Sequence, residues 1–506
     1  MMKRIAQAWG FAAILLLPNY IDLTSSAGDA RMRFPSPLTK IALAHLADLV
    51  IVAVIFAGLT ACLRRLPVWP KIRWTLMALL PVALFLRNLN VFPFDIPNSV
   101  IITLSLLWPA ILILLILKTP RIALLLRNSG SSLLTGFAIF ALVVTWQLVQ
   151  VTLWRPGPQS YAAAIPAQPP SKPRLVWIIF DELAYKPVFE MRDPSLSLPN
   201  FDRLRNESTL FTDMTPIAYR TTRVIPSLQL GRAVTDVEYT ADNRYLVQTE
   251  NNPQWHAFDA NASLFGMAEQ HGLTTSIVGW YIAYCPVFAG TATDCYWSNN
   301  DAQDRGPTML SASLAENAWI PLRIMAEQAV WPGRAWADQA EWNAEGHIAS
   351  VQDLSQRALD TISTSQADVI YLHLPTPHPP AFWDRRSKKF AVGGSYLDSL
   401  DYSDRLLGKI LDLLEAQPRW AATTLIVQGD HSWRTQMWRP LPGWSAEDER
   451  ISQGGQWDSR PVLLIHSAGQ KSAATITKTT SVMHVHDAVA NFVRLAATVA
   501  DRTDFH

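Results

Sequence analysis

The first 153 residues carry few charges and long apolar runs, and no other feature constrains the fold as strongly. Five segments there, roughly 5–23, 40–63, 74–92, 99–117 and 133–153, approach the length of about 20 residues that a membrane-spanning helix needs. Pro18 and Asp22 interrupt the end of the first. Lys3 and Arg4 ahead of an apolar stretch also fit a signal peptide, but no convincing small-x-small cleavage site follows, so an uncleaved helix is the better reading. Lys3 and Arg4, then Arg64, Arg65, Lys71 and Arg73, then Lys118, Arg121 and Arg127 fall on one side of the five segments. The positive-inside rule therefore puts the N-terminus in the cytoplasm and everything after residue 153 on the outer side, in a periplasm or the exterior.

Residues 154–173 form a linker. Pro156, Pro158, Pro166, Pro169, Pro170 and Pro173 favour extended polyproline conformations and forbid a continuing helix. From about 174 to 506 the chain has ordinary globular polarity, and a length of 506 residues suits several folding units. A formal net charge of +1 lacks the basic footprint of a nucleic-acid binder.

Two apolar runs end abruptly in polar pairs: LVWIIF (175–180) in Asp181-Glu182 and TTLIVQG (423–429) in Asp430-His431. The C-terminal ends of strands in open α/β sheets are where functional loops gather. The two strand ends can thus converge on one site lined by oxygen and nitrogen. Carboxylates with an imidazole suit a borderline divalent ion, zinc or manganese, better than calcium, which takes more oxygen ligands. Whether Asp181, Glu182 or both bind is open, and so is a second metal. Between these runs, helical and strand patterns alternate: SLFGMAEQHG, TTSIVGW, ADVIYLHL and the long amphipathic 394–416. Alternation argues an α/β domain with a central, mostly parallel sheet covered on both faces. Cys285 and Cys295 flank a short loop on the outer side, where an oxidising compartment permits a disulfide.

The segment 174–495 resembles the sulfatase-like branch of the alkaline phosphatase superfamily. LPNFDRLRNESTLFTD, LFGMAEQHGLTTSIVGW, YLHLPTPHPP, SYLDSLDYSDRLLGKILDLL, VQGDHS and RPVLLIH follow in that family's order. Spans plus an outer sulfatase-like domain look like bacterial lipoteichoic-acid synthases and lipid A phosphoethanolamine transferases. The resemblance implies a nucleophile at a helix start. Sulfatases need Cys or Ser in a C/S-x-P-x-R context, whereas this chain reads Val224-Ile225-Pro226-Ser227-Leu228. The transferases place a Thr about five residues before the Pro, which falls on Thr221, with Thr222 as the fallback; either hydroxyl can instead cap the helix. The Lys and His of the sulfatase GKWH motif are missing from Gly279-Trp280-Tyr281-Ile282. His378, between prolines, is the expected substrate-facing histidine, with His373 second because a strand histidine can be core.

The expected activity is transfer of a phospho-alcohol group from a phospholipid donor to an envelope glycan or lipid through phospho-Thr221, with Asp181, Asp430, His431 and Thr221 around one metal. A hydrolase and a non-catalytic scaffold are the rival readings. Head group and oligomeric state are not legible.

Overall fold

The structure is a computed structural model that describes residues 2–24, 37–68, 118–240, 244–299, 313–330, 334–440 and 443–503, with isolated positions between 80 and 114. It divides into two compact units, one of residues 1–26, 37–155 and 302–335, the other of 27–36, 156–301 and 336–506. Residues 302–335 are thus an excursion from the segment expected to form the catalytic domain.

The first unit contains α1 (Met2–Leu15), α2 (Leu17–Thr24), α3 (Thr39–Leu63) and α4 (Pro120–Leu153). Thr39–Leu63 and Asn128–Leu153 are long and apolar enough to cross a membrane, and they coincide with the expected segments 40–63 and 133–153. The expected span 5–23 is instead two helices that meet at Leu16. Pro18 has no N–H to continue the ladder of α1, which explains the break. The expected segments 74–92 and 99–117 lie outside the described residues, apart from isolated positions, so two of the five spans are accounted for. Small residues bring α1 against α4: Ala12 and Ala13 are fully buried, and a Cβ on Gly10 would lie 2.8 Å from Leu134 O. Trp9 Nε1 donates to Thr145 Oγ1 at 3.2 Å across the same seam.

The second unit is built on a nine-stranded sheet of β1 (Ser160–Ala162), β2 (Arg174–Phe180), β3 (Thr209–Phe211), β4 (Thr275–Trp280), β5 (Asp294–Ser298), β6 (Val369–Leu374), β7 (Thr423–Gly429), β8 (Leu463–His466) and β9 (Ala474–Ile476), in spatial order β1-β5-β4-β6-β2-β7-β8-β3-β9. The centre is parallel, with antiparallel partners towards both sides. All seven residues of β2 are buried, as expected of a parallel strand covered on both faces. Its period of two divides it cleanly. Val176, Ile178 and Phe180 join a core layer with Leu400, Leu407 and Leu411 of the long helix Tyr396–Glu415, while Leu175, Trp177 and Ile179 join a second layer with Val224 and Leu228 of the helix Thr221–Leu230. At the N-terminal ends of the strands, Arg419 ties the edge together through Asp368 Oδ1 at 2.8 Å and the carbonyls of Lys172 and Pro173. Cys285 and Cys295 are joined in a disulfide.

Candidate metal centre

Sheet register puts the two polar strand ends side by side. In the parallel pair β2–β7, Phe180 is opposite Gly429, so Asp181 and Asp430 are the next positions on neighbouring strands. Asp181 N–H donates to Leu374 O at the end of β6, which fixes the third strand end against the first. Glu182 then turns with φ 61°, a left-handed conformation that costs a non-glycine residue energy and persists where surroundings hold it. Two contacts hold it here. Tyr396 Oη donates to Glu182 O at 2.5 Å and accepts from Ala184 N–H at 3.2 Å. The turn aims the Glu182 N–H at Asp430 Oδ1, 3.0 Å away, and so orients that carboxylate.

The helix Thr221–Leu230 delivers the hydroxyl. Thr221 is its first residue, and no side chain caps its N-terminus. Thr221 Oγ1 lies 2.9 Å from Asp181 Oδ2, 2.9 Å from Asp430 Oδ2 and 3.4 Å from His431 Nε2. It faces the cluster and does not cap its helix. Thr222 is half-buried, and its carbonyl accepts from Tyr245 Oη at 3.4 Å. Pro226 explains why that carbonyl is free, since proline has no N–H to meet it in the helix. At the other end Gly231 closes the helix with φ 66°, and His486 Nδ1 hydrogen-bonds Leu228 O at 2.8 Å.

The cluster suits a divalent cation. His431 Nδ1 faces Ser432 O at 3.0 Å, which assigns the proton to Nδ1 and leaves the Nε2 lone pair towards Thr221 and Asp430. Asp181 Oδ1 and His373 Nε2 are buried without hydrogen-bond partners, and Asp181, His373 and Asp430 bring ligand atoms within 4.8 Å of one another. Burial and the neighbouring Asp430 carboxylate push the Asp181 carboxyl well above its usual range. Two buried acids at this separation resist joint ionisation unless positive charge joins them. His373, pushed down to about 4 by burial, is neutral, with Nδ1 on Tyr284 Oη at 2.8 Å and Nε2 3.6 Å from Asp181 Oδ2. It therefore stands beside Asp181 with Nε2 among the cluster's ligand atoms.

The family model described as Sulfatase matches residues 173–505. The chain belongs to the Sulfatase family. It is thus part of the sulfatase-like branch of the alkaline phosphatase superfamily. Among solved structures, this Sulfatase-family chain is similar to PsFucS1 sulfatase from Pseudoalteromonas sp. (12% identity, 64% of this chain and 68% of that one, TM-score 0.40). It is also similar to the lipoteichoic acid synthase LtaP from Listeria monocytogenes (12%, 64% and 72%, TM-score 0.38) and to the phosphonate monoester hydrolase of Agrobacterium radiobacter (12%, 64% and 74%, TM-score 0.34). No curated protein matches it.

Glu182 and His378 lie beside the cluster, in a setting that sequence reasoning did not foresee. The Glu182 carboxylate pairs with Arg434 and accepts from Trp438 Nε1 at 2.9 Å, so its side chain is turned from Thr221 to a guanidinium. Glu182, His378 and Asp181 nonetheless bring ligand atoms within 4.8 Å. His378 Nε2 accepts from Arg434 Nη2 at 3.0 Å, and Trp280, His347 and Trp438 surround the ring. Burial, then the Arg434 charge, hold it well below the usual histidine range. His378 is therefore neutral and occupied as an acceptor, an arrangement suited to positioning more than to proton donation. Arg434 and His347 were missed. The signal for Arg434 was its place three residues after His431 in one loop; His347, in the helix Arg334–Thr364, bonds His378 O at 2.8 Å and left no trace in spacing. Removing either partner of the buried Glu182–Arg434 pair costs about 3–5 kcal/mol, because a charge is left uncompensated.

Proposed function

We propose that this chain is a membrane-anchored, metal-dependent transferase that moves a phospho-alcohol group from a phospholipid to an envelope glycan or lipid through phospho-Thr221. One observation carries the reading: a threonine hydroxyl, and neither Cys nor Ser in a C/S-x-P-x-R context, stands 2.9 Å from each of two strand-end carboxylates. Asp181, Asp430, His431 and Thr221 would hold the ion, zinc or manganese, with Glu182 and His378 beside it on Arg434. When bound, the metal stabilises negative charge and raises the nucleophilicity of a hydroxyl. Thr221 Oγ attacks the donor phosphorus, the P–O bond to the departing alcohol breaks, and that alcohol takes up a proton. The Thr221 proton has carboxylate oxygens at 2.9 Å to receive it. The acceptor hydroxyl then attacks phospho-Thr221, and Thr221 Oγ is reprotonated. The helix start offers backbone N–H groups to the phosphoryl oxygens, and Arg434 adds a fixed positive charge. The two apolar helices support the anchor, and the loop charges support an outer catalytic domain.

The test is transfer from a phospholipid labelled in its head group, with the full chain in detergent. Thr221→Ala should lower turnover by about three orders of magnitude or more, and Thr222→Ala should be mild. Equal loss in Thr222→Ala with Thr221→Ala active would move the nucleophile by one residue. Label appearing only in water, undiminished in Thr221→Ala, would favour hydrolysis.

A further inference from the structure

Away from the metal centre, the helix Arg334–Thr364, the helix Tyr396–Glu415 and the small hairpin Trp383–Asp384/Lys389–Phe390 line an open cavity of about 520 Å³. One wall is aromatic. The rings of Trp383, Phe390 and Tyr402 form a mutual cluster with centroids 5.1 Å (Trp383–Tyr402), 5.2 Å (Phe390–Tyr402) and 5.3 Å (Trp383–Phe390) apart. The rim is cationic, from Lys388, Arg405 and Lys409. Asp401, the acid nearest the rings, is already engaged by Trp383 Nε1 at 3.0 Å and by Arg405 Nε at 2.6 Å. Asp384 accepts within its own turn, from Arg386 N–H and Ser387 Oγ, and Asp360 accepts from Gln356 Nε2 at 2.8 Å. Lys388, held with φ 57° at the hairpin turn, and Lys409 are both exposed and have no ion-pair partner among the described residues. Two lysines and the amides of Gln352 and Gln356 lining the same cavity as these rings match one ligand chemistry: an apolar ring face that carries an anion and hydroxyls.

We infer that this cavity binds a sugar bearing a phosphate or sulfate ester. The pyranose face lies on the aromatic wall and the ester on Lys388 and Lys409. Behind the wall, the buried Phe382 ring packs 5.4 Å from Tyr402 and 5.4 Å from His347, whose ring lies 5.7 Å from His378. Under the transferase reading, the sugar held here is part of the acceptor glycan. That role rests on the transferase reading; the binding does not, and binding is what the test reads. Calorimetric titrations of the full chain in detergent use N-acetylglucosamine 6-phosphate, N-acetylglucosamine 6-sulfate, N-acetylglucosamine and inorganic phosphate. At least one ester should bind, with the plain sugar and inorganic phosphate weaker by about tenfold or more, and the tighter ester names the source. Lys388→Glu/Lys409→Glu, at exposed positions, should weaken that binding by about tenfold or more with metal content unchanged. Phe390→Leu should weaken the ester and leave inorganic phosphate as in the wild type. Inorganic phosphate binding as tightly as the esters would reduce the site to a cationic patch and overturn the inference. Unchanged ester binding in the double variant would also overturn it, by assigning the ligand to the metal centre.

Discussion

Asp181 decides how the candidate site responds to pH. Its carboxyl is held well above the usual range by burial and by Asp430, so in the metal-free protein it keeps a proton where an ordinary carboxylate has lost one. A metal needs the carboxylate form, and binding therefore expels that proton. The expected result is an apparent metal affinity that falls as pH drops through the raised value, with protons released on binding. Calorimetry in buffers of different ionisation enthalpy, repeated from the ordinary carboxylate range upwards in pH, reads this directly; binding with no proton release at any of these pH values would contradict it. The linkage for stability has the same origin. A raised carboxyl pKa makes the metal-free fold gain stability as pH falls from the folded value towards the unfolded one, and bound metal removes that gain.

The helix Thr221–Leu230 carries the proposed nucleophile at one end and a glycine lock at the other. Gly231 has φ 66°, and a Cβ there would meet His486 Nε2 at 2.4 Å. Gly231→Ala should cost about 1–3 kcal/mol from left-handed strain, and more if His486 cannot move. Thermal unfolding of Gly231→Ala beside Gly231→Ala/His486→Ala separates the two causes; an unchanged midpoint in the single variant would refute the lock. Elements of this kind differ in how far the sequence discloses them. The strands 175–180 and 423–429 were legible because parallel strands buried on both faces read as unbroken apolar runs, and their polar ends announced Asp181, Asp430 and His431. Register, which makes those ends neighbours, is a property of pairing and was not legible. Nor was the partner of Glu182. A sequence shows two adjacent acids, and only the left-handed turn reveals that one faces Thr221 and the other Arg434. The break at Leu16 was half legible, since Pro18 was in view but read as weakening one helix and not as dividing two.

At the scale of the molecule, an apolar helical unit and a Sulfatase-family domain share one chain, and the helix Leu314–Val330, within the stretch of the second, belongs to the first. That excursion was invisible in the pattern because Leu314–Val330 mixes apolar and charged residues like any amphipathic helix. The proposed outer location of the Sulfatase-family domain rests on the lysine and arginine asymmetry; under it a reporter active only in the cytoplasm, fused after His506, should stay silent, and strong activity would reverse the topology. The proposed transferase takes its donor from lipid, and the covalent intermediate is where that proposal becomes directly measurable. The decisive measurement is the mass of the Thr221 peptide from the full chain incubated with phospholipid and quenched before acceptor is added. A peptide heavier by a phospho-alcohol group on Thr221, absent from Thr221→Ala and discharged by acceptor, is the predicted result. An unmodified Thr221 peptide from protein that is turning over would contradict the account.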